Sequence, residues 1–405
     1  MPEFDINHSG IPVIYTRSNT DIAHFILHFP VGSRDEKPDH FGLMHLLEHM
    51  LFKGTLNKNY FELINSIENF GADINAYTTK ENLVIFVSFP DRFLEKITPL
   101  LAEIVYESVF PENELKKEKN VIADEIRAYR DSAADFMYDN FEVKFFRNHA
   151  LGHDILGSIK SMSSISSADL KNCMSQLQNH LHISVVSPRK PVDIFNIINR
   201  YFHSEYAEFN HEYQKPDFRS FNKIIFDDVS QSHYICGSLC SSYHSDDRQA
   251  LMLLGSILGG QHLSAKLNME LREKHGLAYT VESSLSSFRD CGLLYHYFTC
   301  DHKRLPKAIK LMNNVFATII DRKMNEDELH SAKRILKSQL QLYFEYPLNR
   351  ALFHAKYYQY HKKIISTKDW VQSFDIIDAE TIQKLSEQHL ASVSLSSLYM
   401  KKNTK

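Results

Sequence analysis

The sequence predicts an α+β fold of two tandem homologous α/β half-domains, each an antiparallel or mixed sheet with helices packed mainly on one face. Three observations predict it. Strand-period and helix-period segments alternate through the first half of the 405 residues. A polar and aromatic stretch from Tyr206 to Asn222, with one proline and no clear periodicity, interrupts that alternation, and the same order of elements then returns. Glycines that close equivalent helices also stand in register: Gly54 and Gly260 are 206 positions apart, and Gly71 and Gly276 are 205 apart. That offset marks an internal duplication of about 200 residues. The expected division is a half-domain over 1–210, a linker over 211–222 and a second half-domain over 223–405.

The elements follow in order. Val13 to Tyr15 and the mostly apolar Ile22 to Phe29 read as strands, the second ended by Val31-Gly32-Ser33. A polar loop over Asp35 to Asp39 leads to a helix from about Gly42 to Phe52, closed by Gly54. Tyr60 to Phe70 is a second helix, ended at Gly71. Asp73 to Thr78 and Asn82 to Phe89 form a β-hairpin rich in Ile, Val, Phe and Tyr. Phe93 to Val105 has helical apolar spacing, with Pro99 either kinking it or starting it. Glu112 to about Arg130 is a long charged helix, followed by helices near 132–147 and 167–178 and a strand at His182 to Val186.

Beyond the linker, Ile224 to Phe226 and His233 to Ser238 are strands, and Gln249 to Leu258 is a helix closed by Gly259-Gly260. Leu267 to His275 is a helix ended by Gly276. Ala278 to Ser283 and Leu293 to Thr299 form a hairpin. Leu305 to Ile320 is amphipathic, and Glu326 to Phe344 is long and charged.

Composition excludes several classes. Apolar residues make up 43% and charged residues 24%, as in ordinary globular proteins. The net charge of −4, without a strong block of either sign, gives no footprint for nucleic acid or a membrane surface. Apolar runs such as Leu83 to Val87 are far too short to span a bilayer. Met1 to Thr16 carries Glu3 and Asp5 and has no continuous apolar core, so no signal peptide is expected. Five scattered cysteines lack zinc-ribbon spacing, and reduced thiols in the cytoplasm are the simplest expectation.

Chemistry is concentrated in His45-Leu46-Leu47-Glu48-His49. It reads H-x-x-E-H, the reverse of the H-E-x-x-H zinc helix. Histidines four apart share one helix face, where neutral imidazoles can grip one zinc ion. Glu48 points near the metal without being a ligand, and a carboxylate there can take a proton from zinc-bound water. With 22 histidines in the chain, a buried helix with two satisfied imidazoles is the plain alternative. A third ligand is needed. Glu118 and Glu125, seven apart on the charged helix, share a face, and either could complete a His₂Glu site with an open fourth position. Both could equally belong to a solvated face.

The runs HLLEHMLFKGT (His45 to Thr55), GADINAYT (Gly71 to Thr78) and EKNVIADEI (Glu118 to Ile126) resemble the pitrilysin-type inverzincin metallopeptidases. The resemblance is to a small bacterial-type, mitochondrial-processing-peptidase-like member of that family. Leu271 to Tyr279, LREKHGLAY, is similar to the family's arginine–tyrosine pair. The likeness covers about residues 10 to 390. It implies His45, His49 and Glu125 as ligands of one Zn²⁺ per chain, although Mn²⁺ or Co²⁺ can occupy such a set. It implies Glu48 as general base, Glu118 as the carboxylate orienting a ligand histidine, and Arg272 and Tyr279 as stabilisers of the oxyanion. The strand Asp73 to Thr78 resembles the family's substrate edge, with Asn75 and the Ala76 backbone as candidates to hold an extended peptide. Read alone, it is an ordinary hairpin. Phe52 either lines a pocket or belongs to the core. The second repeat's counterpart of the metal helix, Leu251 to Leu258, has no His or Glu.

The implied activity is zinc-dependent hydrolysis of short or unfolded peptides in an enclosed chamber. The implied assembly is a homodimer whose metal half faces the partner's arginine–tyrosine half. A catalytic subunit of a heterodimeric processing peptidase, or a non-catalytic peptide-binding scaffold on the same fold, are the alternatives. Leu263-Ser264-Ala265-Lys266-Leu267 departs from the family's Ser-Ser-Arg-Leu run, and the usual helix-ending aromatic is missing around Cys173 to Asn179. Both departures bear on substrate preference rather than on the chemistry.

Overall fold

The computed structural model describes residues 3–6, 10–203 and 205–402. The expectation about a signal peptide over Met1 to Thr16 lies partly outside the described residues, as do the outer ends of the two half-domain ranges. The first repeat runs β1 (Glu3–Ile6), β2 (Pro12–Arg17), β3 (Ile22–Phe29), α1 (Leu43–Met50), α2 (Tyr60–Glu68), β4 (Asp73–Thr78) and β5 (Leu83–Pro90). It continues with α3 (Leu94–Glu107), α4 (Glu112–Asp131), α5 (Ala133–Phe145), α6 (Ile159–Ser164), α7 (Ser167–Leu177), β6 (His182–Ser187) and α8 (Pro191–Tyr201). Residues 205–221 carry neither helix nor strand. The second repeat runs β7 (Asn222–Asp227), β8 (Ser232–Cys240), α9 (Arg248–Gly259), a π-helix (Asn268–Lys274), β9 (Ala278–Ser287) and β10 (Gly292–Cys300). It ends with α10 (Leu305–Asp321), α11 (Glu326–Glu345), α12 (Pro347–His361), α13 (Thr367–Gln372), α14 (Ala379–Leu390) and β11 (Ser396–Lys402).

The duplication is written in the strand order. One sheet is ordered β1-β2-β6-β3-β5-β4 and the other β7-β11-β8-β10-β9. Setting β1 aside, each sheet takes its own strands as first, last, second, fourth, third. In each, the first strand and the last pair in parallel, β2 with β6 and β7 with β11, and the other neighbours are antiparallel. The fold class is therefore the expected one, a mixed sheet with flanking helices in each of two tandem repeats. In each sheet the third strand, β4 or β9, lies at an edge.

Side-chain alternation assigns the faces. In the first sheet Phe25, Leu27, Phe29, Ile85, Val87 and Phe89 pack with Leu46, Leu47, Leu101 and Ile122 from α1, α3 and α4. The alternate residues Ile26, Val84 and Val186 face the reverse side and meet Ala351 and Ala355 of α12. In the second sheet, α9 and α14 pack on β9 and β8. Its other face, with Ile235, Leu293, Leu398 and Met400, is covered by Met137, Phe141 and Phe145 of α5. Among the described residues, the helices named above pack on one face of each sheet, and α12 or α5 packs on the other.

That covering helix is exchanged between repeats. One compact unit comprises Met1–Ala128, His153–Glu212 and Leu342–Thr367; the other comprises Tyr129–Gly152, Tyr213–Gln341 and Lys368–Lys405. The unit with the first sheet therefore includes α12 from late in the chain. The unit with the second sheet includes α5 from early in it.

Three local expectations are refined. The helix expected over Leu267 to His275 is a π-helix over Asn268–Lys274, whose hydrogen bonds span five residues instead of the four of an α-helix. The α3 helix begins at Leu94, ahead of Pro99, so the proline lies inside it. Gly71 and Gly276 share a left-handed conformation, at φ 67° and 55°, whereas Gly54 (φ 151°) and Gly260 (φ −61°) do not match.

Candidate metal centre

The helix α1 owes its position to its ends. Leu, Met and Glu favour helix within LMHLLEHM. Met44, Leu46, Leu47 and Met50 are buried in the core, which fixes the direction of the remaining face. At the entry, Gly42 has φ 96°, and a Cβ there would lie 2.7 Å from the Leu156 carbonyl oxygen. Only glycine suits both demands. The backbone N–H groups of Gly42 and Met44 donate to the Glu36 carboxylate at 2.8 and 2.7 Å, which satisfies donors that the first turn leaves unpaired. Burial pushes the Glu36 carboxyl above its ordinary range, and these hydrogen bonds act against that rise.

Three side chains converge in this unit. Nε2 of His45 lies 3.7 Å, and Nε2 of His49 3.6 Å, from the same Oε2 of Glu125 on α4. All three candidate donor atoms fall within 4.8 Å of one another, and no other group of three among the described residues does so. Tetrahedral zinc with bonds of about 2.0–2.1 Å sets neighbouring donors about 3.3 Å apart, so the cluster fits that ion. Burial, with the charge of His49 adding to it, holds the His45 imidazole down to about 3, so it stays in the neutral, ligating form.

Glu118 and Glu125 take different nitrogens of one ring. Oε2 of Glu118 is 3.1 Å from Nδ1 of His49, while Glu125 faces Nε2. A carboxylate accepts, so Nδ1 carries the hydrogen and Nε2 offers its lone pair. Leu115, Glu118, Ile122 and Ile126 form the buried stripe of α4. A glutamate in the apolar register is the sequence signal that separates Glu118 from the solvated residues around it. Its second oxygen, Oε1, is held by Lys53 Nζ at 2.7 Å.

Glu48 is half-buried on the same helix and hydrogen-bonds Thr78 at the end of β4. Burial is the largest influence and pushes its carboxyl up, while the Thr78 hydrogen bonds pull the other way. Thr78 also donates its hydroxyl to the Met44 carbonyl at 3.3 Å, tying the edge strand to α1. On β4, Asn75 is exposed and Ala76 half-buried, and the Ala76 N–H donates to Asn75 Oδ1 at 2.8 Å. Phe52 packs half-buried against the core.

Arg272 and Tyr279 belong to the other unit. Arg272 projects from the π-helix and Tyr279 from the start of β9, with the guanidinium 5.2 Å from the ring centroid. Tyr279 is 78% exposed, which leaves its hydroxyl open to a ligand. Three residues that shape the metal centre were assigned no role from the sequence: Glu36, and Lys53 and Thr78, although the last two lie inside the runs HLLEHMLFKGT and GADINAYT. Each acts from a loop, a helix end or a strand end, where spacing carries no signal. No helix among the described residues is long and apolar enough to cross a membrane.

A His₂Glu cluster in one repeat of a duplicated α/β fold defines a class, the zinc metalloendopeptidases. The sequence pattern of the insulinase family, peptidase family M16, matches residues 12–158, and that of the M16 inactive domain matches residues 164–336. An uncharacterized zinc protease of Bacillus subtilis, YmxG, is 31% identical over 316 residues, covering 78% of this chain and 77% of its own. An uncharacterized zinc protease of Rickettsia felis is 28% identical over 393 residues, covering 96% and 95%. Among solved structures, a peptidase M16 inactive domain from Pseudomonas fluorescens superposes with TM-score 0.91 at 20% identity, covering 100% of this chain and 98% of that one. A protease from Helicobacter pylori gives 0.89 at 20% identity, covering 99% of each. The chain belongs to peptidase family M16, with one catalytic and one inactive domain.

Proposed function

We propose that this chain is an H-x-x-E-H zinc endopeptidase acting on short or unfolded peptides, with Glu48 as its general base. The observation that carries the reading is the convergence within 4.8 Å of Glu125 from α4 with His45 and His49, whose helix α1 also presents Glu48. His45, His49 and Glu125 would hold one zinc ion, with Glu118 fixing the ring of His49. Zinc bound there supplies a Lewis acid for the scissile carbonyl and acidifies the attacking water. Glu48 takes the proton as that water attacks and returns it to the leaving amine. Its half-buried setting raises its proton affinity, which suits both duties.

The substrate extends along β4, whose free edge can accept another strand, with Asn75 and the Ala76 backbone as its contacts. Negative charge grows on the carbonyl oxygen, and Arg272 and Tyr279 stabilise it. The half over 1–210 supplies the metal and base, and the half over 223–405 supplies the arginine–tyrosine pair. A homodimer pairs each metal half with its partner's second half around an enclosed chamber. The five cysteines, none of them in a disulfide, suit a cytoplasmic setting.

The test is cleavage of a quenched fluorescent peptide by the parent and Glu48→Gln. The variant is expected to keep its zinc and to lose about 10²–10⁴-fold in kcat. Near-parental kcat with zinc bound would remove Glu48 from the chemistry.

A further inference from the structure

Lys53 lies four residues beyond His49, past the last turn of α1, where its backbone N–H donates to the Met50 carbonyl at 3.2 Å. Its ammonium is 2.7 Å from Oε1 of Glu118 and 4.8 Å from the ring centroid of Tyr60, the first residue of α2. Neither end of the ion pair is a solvated surface group: the Lys53 side chain is 19% exposed and that of Glu118 10%. Glu118 thus uses both oxygens, Oε1 on Lys53 and Oε2 on Nδ1 of His49.

The terminal torsion of a glutamate is broad and two-fold, so packing alone does not choose which oxygen faces which partner. A fixed cation on one oxygen does. A buried carboxylate deprived of its cation is costly and turns toward whatever water or donor it can reach. The ring of His49 would then lose its one carboxylate partner at Nδ1. His45 offers no substitute, because its Nδ1 is buried with no hydrogen-bond partner among the described residues.

We infer that Lys53 is a positioning residue of the metal centre: it holds Oε1 of Glu118 so that Oε2 fixes the His49 ring, with Nε2 directed at the metal. The inference rests on the reading of His45, His49 and Glu125 as the metal ligands. Tyr60 completes the line of contacts by keeping the ammonium in place from the other side.

The test uses the full chain, freed of metal by chelator and titrated with zinc against a chromogenic competitor. Cobalt substitution gives a visible spectrum as a second readout. Lys53→Met is expected to weaken zinc binding about tenfold and to shift the cobalt bands, while Lys53→Arg stays within about threefold of the parent. In a Glu118→Gln background, Lys53→Met should add less than about twofold, because both changes break one contact line. Parental zinc affinity and cobalt spectrum in Lys53→Met would overturn the inference, as would full additivity with Glu118→Gln. A drop in metal-free thermal stability alone, with affinity unchanged, would also overturn it. If Lys53→Met fails to fold, Lys53→Gln replaces it, with a several-fold weakening expected and parental affinity counting against the inference. His49→Ala separates the two levels: retained zinc affinity there defeats the ligand reading itself, whereas loss there beside a parental Lys53→Met defeats only the role of Lys53.

Discussion

Tyr360 donates its hydroxyl to Oε2 of Glu81 at 2.5 Å, across 279 positions of sequence. The other carboxylate oxygen of Glu81 sits 2.5 Å from Nη1 of Arg34, and the Gln359 side chain donates to the Glu81 carbonyl at 3.2 Å. All four residues lie in one compact unit. The turn between β4 and β5 is therefore anchored by α12, a helix from the other repeat. Tyr360→Phe should destabilise the protein by about 1.5–3 kcal/mol, the usual worth of a hydrogen bond to a charged group. Urea unfolding measures it, and a change under about 0.5 kcal/mol would mean that the bond contributes little.

The edge strand makes a kinetic prediction. Asn75 is exposed, so Asn75→Ala should leave stability within about 0.5 kcal/mol of the parent. If a peptide adds to β4, losing that side chain should raise KM about tenfold, with a smaller effect on kcat. An unchanged KM across several peptide lengths would count against strand addition at this edge.

Subunit mixing tests the composite site. Arg272→Ala and Glu48→Gln chains should each be nearly inactive alone. Mixed in equal amounts and allowed to exchange, they should recover about a quarter of parental activity. Half of the dimers are then mixed, and each of those holds one intact site of two. Absence of recovery, with exchange verified by labelled subunits, would place the whole site within one chain.

Buried histidines make the fold acid-sensitive. Burial holds His296 down to about 3, and burial followed by the charge of Arg350 holds His354 down to about 4. Unfolded, both return to about 6.5 and take up a proton that the native state refuses. Their contribution is thus intact above pH 6.5 and declines as pH falls, by about 1.4 kcal/mol per unit for each group. Urea midpoints between pH 7.5 and 5 should fall, and His296→Gln should flatten the slope. A midpoint independent of pH across that range would contradict the assignment.

Much of this was legible in the sequence, for reasons that differ by residue. The strand β3 and the hairpin β4–β5 announce themselves by apolar runs and turns, and α1 by its buried Leu and Met spacing. The metal pair His45 and His49 was readable because both ligands lie one turn apart on one helix. Glu125 was not separable from Glu118 by spacing, since two turns along α4 put both on the same face. The resemblance distinguished them, and the structure gives each its own nitrogen of His49. The π-helix was invisible, because Asn268–Lys274 has the composition of an α-helix and only its backbone differs. The strands β1 and β11 and the helices α6, α8, α12, α13 and α14 were also missed. Most consequentially, α5 was expected only as a helix near 132–147 and α12 not at all, so which sheet each covers was not legible.

The traded helices bear on fission and engineering. Neither repeat is a module that can be lifted out intact. Excising residues 1–210 strips Ile26, Val84 and Val186 of Ala351 and Ala355, and leaves Phe141 and Phe145 without the sheet they cover. Yet a nick near Glu212, with both pieces retained, falls between Tyr206, which hydrogen-bonds Tyr358 of α12, and Phe218 and Phe221, which pack on Phe145 and Phe141 of α5, and separates neither helix from the sheet it covers. The gene could be split there, but the two products would have to be made together, each finishing the other's core.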